Sequence, residues 1–441
     1  MSRYFGTDGV RGRFGTTLTV EIAYRIGRFI GGYGFEKPTR ILLARDTRES
    51  GVALSEALVR GIVESGGTVY DLGVSSTPSV SHLVRKHGFD YGIMVSASHN
   101  PYHDNGIKVF AGTGEKLSSD IEERIEDFID LTDVPAGVGG GKHVLSDDLR
   151  DEYIAWLAGK ASPALNGLHV LADLANGSAT AIAPKLFEKL GLVATYIGNE
   201  PTGRNINEKC GSTHIDSLQA KFLEGEYDLG LSFDGDADRF MAIAPGGRVI
   251  DGDAQIFLSS LAMREEGTLS QNRVVITVMS NFGLRKALTG EGIGFDIVSV
   301  GDKYVQARLK EAGLSLGGEQ SGHVIYLDEL NTGDGFLSAL HMMNLFVDHP
   351  EIFKKIELLR VYPQILENLR LESKQAIAEA MDNPQVKETM ERVSASLGER
   401  GRLLVRPSGT EPLLRVMAEA LDEDECRRAV EDVIEAIKGA N

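Results

Sequence analysis

Three times along the chain an apolar run passes through a short polar loop into a helix-like stretch, and that recurrence does most to restrict the fold. Arg40-Ile41-Leu42-Leu43-Ala44 leads into Arg45-Asp46-Thr47-Arg48-Glu49-Ser50-Gly51 and on to Val52 through Val63. His169-Val170-Leu171-Ala172 leads into Asp173-Leu174-Ala175-Asn176-Gly177-Ser178 and a helical stretch ending near Leu190. Val274-Val275-Ile276-Thr277-Val278 leads into Met279-Ser280-Asn281-Phe282-Gly283, with a helix from Leu284. Each reads as a buried strand, a loop and a helix, which is how a parallel α/β unit opens. The starts lie roughly a hundred residues apart, so the pattern predicts three α/β domains of similar construction. One large α/β domain would also hold several such units. The length of 441 residues, at about 150 per domain, agrees with about three domains.

The C-terminal stretch has a different rhythm. Arg402 to Arg406 and Leu413 to Ala418 read as strands on either side of a loop, and Pro384 to Leu397 as a helix. Asp424 to Lys438 reads as another helix, with Val430, Val433, Ile434 and Ile437 on one face. The pattern predicts a small α+β domain of about 70 residues. Linkers are expected at two places: around Leu359 to Glu372, and at Ala136-Gly137-Val138-Gly139-Gly140-Gly141. The glycine run would serve equally as a loop within the first domain.

Charge and composition narrow what such a chain binds. Lys and Arg total 46 against 64 Asp and Glu, a net charge of −18, which repels nucleic acid and anionic membrane unless the chain holds a strong local basic patch. Aromatics are only 7%, too few for broad base-stacking surfaces. No apolar run approaches the roughly 20 residues of a membrane helix. The opening Met1-Ser2-Arg3-Tyr4-Phe5-Gly6 lacks the basic flank and apolar stretch of a signal peptide. Cys210 and Cys426 form neither a disulfide framework nor a metal motif, which fits a reducing compartment. A cytoplasmic protein without nucleic-acid or membrane partners is expected; the oligomeric state is left open, a homodimer included.

Four motifs carry chemistry. Gly92 to Val95 reads as a strand ending in Ser96-Ala97-Ser98-His99-Asn100-Pro101, followed by Asp104-Asn105-Gly106-Ile107-Lys108. A Ser beside a His at a strand end can be an activated nucleophile, although the same residues also build plain turns. The strand Asp228 to Phe233 delivers Asp234, Asp236 and Asp238 at alternate positions, aimed to meet at one hard cation. An EF-hand fails here, since its sixth and twelfth positions, Gly and Glu, are Arg239 and Pro245. Crowded carboxylates with one Arg beside them repel each other unless a cation is present, and Mg²⁺ is favoured over Ca²⁺ if phosphate shares the site. Gly317-Gly318-Glu319-Gln320-Ser321-Gly322-His323 lets a polar ligand approach closely, and Glu319 and Ser321 would face it together if the segment were extended; the same residues serve equally as a Gly-rich turn with a capping Ser. Arg406-Pro407-Ser408-Gly409-Thr410-Glu411-Pro412, with Arg415 beyond, offers the cations, hydroxyls and N–H groups that suit phosphate oxygens, although a plain strand-connecting turn would also use Pro, Ser and Gly. No P-loop, Rossmann fingerprint or H-E-x-x-H occurs, which argues against nucleotide-driven chemistry and a zinc protease.

Taken in order, these four motifs resemble the α-D-phosphohexomutase superfamily across the whole chain. The opening Arg3-Tyr4-Phe5-Gly6-Thr7-Asp8-Gly9-Val10-Arg11-Gly12 is similar as well. Gln320, and Asn205-Ile206-Asn207 with Cys210-Gly211-Ser212-Thr213-His214, resemble the bacterial branch acting on glucosamine phosphates. The resemblance implies a heart-shaped, four-domain architecture: three α/β domains with mixed sheets and a smaller C-terminal α+β domain. The domains would span 1–150, 151–253, 254–366 and 367–441, each carrying one motif. It implies an isomerase interconverting glucosamine 6-phosphate and glucosamine 1-phosphate, supplying UDP-N-acetylglucosamine synthesis for the cell wall. Ser98 would carry a phosphate, pass it to the sugar as a glucosamine 1,6-bisphosphate intermediate, and take back the other phosphate. Mg²⁺ would bind Asp234, Asp236, Asp238 and the phosphorylated Ser98. Arg11 and Arg239 would brace the phosphoryl group, and Lys108 and His323 would be the acid–base pair. Glu319 and Ser321 would hold the sugar, and Arg406, Ser408, Gly409, Thr410 and Arg415 the non-reacting phosphate. A phosphatase or phosphosugar sensor could use the same groups, and a phosphoglucomutase or phosphomannomutase is the neighbouring alternative.

Overall fold

The computed structural model describes residues 3–6, 8–35, 37–408 and 412–440. The chain divides into two compact units. One runs to Met279 and resumes over Ile293–Ile356; the other takes Ser280–Gly292 and the chain from Glu357 onward. Ser280–Gly292, inside the segment expected as the third domain, contains the helix Phe282–Gly290.

The first unit holds three sheets. The first comprises β1 (Phe5–Gly6), β2 (Gly9–Arg13), β3 (Arg40–Arg45), β4 (Thr68–Val74), β5 (Tyr91–Val95), β6 (Asp104–Ala111) and β7 (Lys142–Leu145), in the order β1-β2-β6-β5-β3-β4-β7. The second comprises β8 (His169–Asp173), β9 (Val193–Ile197), β10 (Leu229–Phe233), β11 (Phe240–Ala244) and β12 (Arg248–Ile250), in the order β12-β11-β10-β8-β9. The third comprises β13 (Arg273–Thr277), β14 (Gly294–Val298), β15 (Leu316–Gly318) and β16 (Val324–Tyr326), in the order β14-β13-β15-β16. The runs read as buried strands from sequence are β3, β8 and β13, the central strand of each parallel group. Their apolar side chains are buried, Ile41, Leu42 and Leu43 in β3, Val170 and Leu171 in β8, and Val274, Val275 and Ile276 in β13.

All three sheets share one four-strand core. The central strand lies between two parallel neighbours, and the second of these turns back into an antiparallel hairpin partner: β5 into β6, β10 into β11, β15 into β16. The loops that close these three hairpins are the serine, aspartate and Gly-Glu-Gln-Ser-Gly motifs. The glycine run falls between the helix Ser119–Ile129 and β7, which pairs in parallel with β4. It is therefore a loop inside the first sheet's domain, not a linker.

The second unit is an antiparallel sheet of β17 (Gln364–Arg370), β18 (Arg402–Pro407) and β19 (Leu413–Glu419), in the order β17-β19-β18. The helices Lys374–Asp382, Pro384–Leu397 and Glu423–Ala440 accompany it. Val430, Val433 and Ile437 are buried as their spacing predicts, with Ile434 packed at the edge of the same core. The stretch Leu359 to Glu372 is no linker, because β17 lies within it and pairs with β19 along its whole length. Only Ile365 and Leu369 of that edge strand pack on the core, and Glu367 between them hides the alternation.

The helices Thr77–His87 and Asp147–Ala158 meet through the His82 ring, which stacks on Trp156 at 4.2 Å between centroids. Both ring nitrogens of His82 are buried without a hydrogen-bond partner. Burial, then the nearby Lys86 and Arg85, push its pKa down to about 4. An unfolded histidine titrates near about 6.5, so between those values the unfolded chain binds more protons and stability falls as pH drops. His82→Phe keeps the stacked face and removes the unpartnered nitrogens. Its thermal midpoint is expected to exceed wild type at neutral pH, and the gap to widen as pH is lowered to about 4.5. A gap independent of pH would contradict this reading of His82.

Candidate active site

Ser98 sits in the loop after β5, 1% exposed, with a left-handed φ of 51°. That conformation is uncommon for a residue with a side chain and persists only where the surroundings enforce it. Here the enforcing group is Arg48, fully buried beside Asp46 at 2.8 Å. Its guanidinium donates to the carbonyls of Ser98 (2.9 Å), Asn100 (2.8 Å) and Asp104 (3.0 Å), and also to that of Pro101. Asp46 in turn accepts from Ser96 Oγ at 2.6 Å, and Ser96 Oγ accepts from Ser98 N at 2.9 Å.

Ser98 Oγ donates to Asp234 Oδ2 at 2.6 Å, while His99 Nδ1 stands at 3.3 Å. The nearer partner of the hydroxyl is thus a carboxylate far away in sequence, not the neighbouring histidine. Burial, then Arg239 and Arg11, push His99 down to about 4. Asp234 opens the loop between β10 and β11. The carboxylates of Asp234, Asp236 and Asp238 converge, one oxygen of each lying within 4.8 Å of the others. Gly235 is required where the two loops touch: a Cβ there would meet Ser98 O at 2.4 Å and Asn207 Nδ2 at 2.9 Å.

Arg239 is not the only cation in this cluster. Lys108 on β6 reaches Asp236 at 2.7 Å, Asp8 at 3.0 Å and Asp238 at 3.3 Å. Burial opposes its charge, but Asp236, Asp8 and Asp238 hold it protonated well above the usual lysine range. Burial likewise resists ionisation of Asp236, yet Lys108 and Thr77 Oγ1 hold it below the usual carboxylate range. At Asp234, burial, then Asp238 and Asp236, outweigh Arg239 and the Ser98 hydroxyl and push it well above that range. Asp236 Oδ1 and Asp238 Oδ1 are buried without a hydrogen-bond donor. Oxygen-only ligands with orphaned acceptor atoms fit a hard divalent cation.

A line of alternating charge leads from this cluster towards the third sheet. Asp8 bridges Lys108 and Lys116 (2.8 Å) and also pairs with Arg11; Lys116 pairs with Asp302 at 2.6 Å; Asp302 faces His323 Nε2 at 4.0 Å. Burial resists the charge on Asp8, but Lys108, Lys116 and Arg11 hold it well below the usual range. The segment Glu319 to Gly322 is a tight turn rather than an extended stretch, closed by Gly322 N donating to Glu319 O at 3.0 Å with Gly322 at φ 93°. Strand alternation therefore does not pair Glu319 with Ser321, because the hairpin must reverse within those residues. Glu319 Oε1 accepts from Gly301 N at 2.9 Å.

In the second unit, Arg406 on β18 and Arg415 on β19 are direct cross-strand partners. Burial, then Arg415, lowers the pKa of Arg406. Like charges set opposite each other destabilise a sheet unless an anion sits with them. Ser408 N donates to Leu413 O at 2.8 Å; Gly409 and Thr410 lie outside the described residues.

The structure thus gathers Ser98, Asp234, Asp236, Asp238, Lys108, Arg11 and Arg239, with His323 connected through Lys116 and Asp302. Asp46, Arg48, Thr77, Lys116 and Asp302 escaped the sequence reading. The charged run Arg45-Asp46-Thr47-Arg48 at the end of a buried strand was the available signal for two of them.

Four domain models of one family match almost the whole chain: phosphoglucomutase/phosphomannomutase α/β/α domains I, II and III at residues 2–134, 151–247 and 251–360, and the C-terminal domain at 366–436. The chain belongs to the phosphoglucomutase/phosphomannomutase family. Among curated relatives, the phosphoglucosamine mutase of Lachnoclostridium phytofermentans is 45% identical, covering 99% of this chain and 98% of its own. A family protein from Burkholderia thailandensis superposes with a TM-score of 0.83 at 25% identity, covering 100% of this chain and 98% of its own. The fold is also that of an Aspergillus fumigatus N-acetylphosphoglucosamine mutase solved with its 6-phosphate sugar and magnesium, with a TM-score of 0.71 at 16% identity, covering 100% and 96%. No helix among the described residues is long and apolar enough to cross a membrane.

Proposed function

We propose that this protein is an isomerase that interconverts glucosamine 6-phosphate and glucosamine 1-phosphate, with Ser98 as the phosphate carrier. The observation that carries the reading is the Ser98 hydroxyl, 2.6 Å from Asp234 within a cluster of three convergent carboxylates. In the transfer, the Oγ–P bond of phosphorylated Ser98 breaks as a sugar hydroxyl forms its own bond to phosphorus. The hydroxyl gives up its proton and Ser98 Oγ takes one; Lys108 and His323 are the groups for these transfers. The resulting 1,6-bisphosphate turns over and returns its other phosphate to Ser98. Asp234, Asp236, Asp238 and a phosphoserine oxygen would hold Mg²⁺, which neutralises charge on the moving phosphoryl group. Arg11 and Arg239 brace that group. Glu319 and Ser321 bind sugar hydroxyls, and Arg406, Ser408, Gly409, Thr410 and Arg415 bind the non-reacting phosphate. Four domains, 1–150, 151–253, 254–366 and 367–441, would each contribute one loop. An enzyme in this role works in the cytoplasm on a phosphosugar, without nucleic acid or membrane.

A coupled assay tests the assignment. Glucosamine 6-phosphate is expected to be preferred over glucose 6-phosphate by at least about tenfold in kcat/KM, since an acidic site suits the substrate's ammonium. Total phosphate ester should stay constant. Equal rates on both sugars would favour phosphoglucomutase activity instead, and released inorganic phosphate would favour a phosphatase.

A further inference from the structure

The segment from Asn205 to Gly211 contributes none of the groups assigned above, yet it touches the nucleophile loop. Asn207 is 7% exposed and left-handed at φ 59°. Its Nδ2 donates to Ser98 O at 2.8 Å and to Asn100 O at 3.1 Å. The same two carbonyls accept from Arg48. Each therefore receives one donor from the first sheet's domain and one from the segment between β9 and β10 of the second. That segment is itself anchored at the end of β8. Asn207 N donates to Ala175 O at 2.9 Å, Asn176 Nδ2 to Asn205 O at 3.3 Å, and Gly211 N to Asp173 Oδ2 at 2.7 Å.

We infer that Asn207 is a positioning residue that ties the Ser98 loop to the domain bearing Asp234, Asp236 and Asp238. Arg48 fixes the loop relative to its own sheet, and so cannot alone set the distance from Ser98 to carboxylates on another sheet. Thr77 and Lys108 tie the aspartate loop to the first sheet's domain through Asp236, and Asn207 is the contact that ties the second sheet's domain to the Ser98 loop backbone itself. With Gly235 in contact with both Ser98 O and the Asn207 amide, the three segments hold one register. The prediction is an effect on phosphoryl transfer and not on substrate binding, because Asn207 acts through the loop backbone.

This inference rests on Ser98 being the phosphate carrier. Asn207→Gly accepts the left-handed backbone and removes only the amide. Its kcat on glucosamine 6-phosphate is expected to fall about 10- to 100-fold, the usual consequence of a slightly misplaced reacting group. KM should stay within about twofold of wild type. Single-turnover transfer from phosphoenzyme loaded with glucosamine 1,6-bisphosphate should slow in parallel. Asn207→Asp keeps the shape and tolerates the backbone but has no N–H to donate, and should lose at least as much. It also serves if the glycine variant folds poorly. Wild-type kcat in both variants, or a loss confined to KM, would overturn the inference. Ser98→Ala separates the two readings: if it is active, the phosphate-carrier reading falls; if it is inactive while both Asn207 variants match wild type, only the role of Asn207 falls.

Discussion

Ser98→Ala is expected to lose about a thousandfold or more in kcat, as removal of a covalent nucleophile does. The fold should survive. The hydroxyl bonds Asp234 Oδ2 and, at longer range, His99 Nδ1, while the loop is held through its backbone by Arg48, Ser96 and Asn207. Alanine leaves those bonds in place, so the loss would report on chemistry and not on unfolding. Peptide mass spectrometry of wild-type protein should find phosphate on Ser98. Wild-type turnover in Ser98→Ala would remove the phosphoserine mechanism altogether.

Asp236→Asn should come close to abolishing activity, and excess EDTA should do the same to wild type. On the proposed reading, replacing one of three convergent carboxylates would remove both a ligand and a negative charge from a hard-cation site. Stability in EDTA should divide the aspartates. Crowding alone would make removal of any of the three stabilising, but the structure gives them different neighbours. Asp236 accepts from Lys108 Nζ at 2.7 Å and from Thr77 Oγ1, so losing its charge leaves a buried cation less well compensated. A cost of about 1–3 kcal/mol is expected for Asp236→Asn. Burial and its two neighbours already disfavour the charge on Asp234, so Asp234→Asn should hold or gain stability in the same buffer. Denaturant unfolding of both variants reads the difference. Full activity of wild type in excess EDTA, or of Asp236→Asn with Mg²⁺, would rule out the metal role.

The local chemistry of this protein is written in short stretches of its sequence. Apolar runs of strand length located β3, β8 and β13, and the helical spacing of Val430, Val433 and Ile437 located a buried helix face. Period and burial are properties of neighbouring residues, so they can be read before the chain folds. The edge strand β17 was missed because only two of its residues pack on the core, leaving too weak an alternation to see. Convergence is a different matter. Ser98 and the three aspartates sit at equivalent hairpin loops of two different sheets, and contacts between those sheets' domains bring the loops together. Nothing in either loop encodes the other's position: the adjacent His99 is in contact with the Ser98 hydroxyl, but the shorter bond goes to Asp234, which spacing could not reveal. The contacts that Arg48, Asn207, Lys116 and Asp302 make at the site run largely to partners distant in sequence. Sequence alone determined the class of fold and offered the candidate residues for its chemistry. Tertiary structure decided which of them face one another, because strand order and burial, not spacing along the chain, bring charges together and exclude the water that would otherwise separate them.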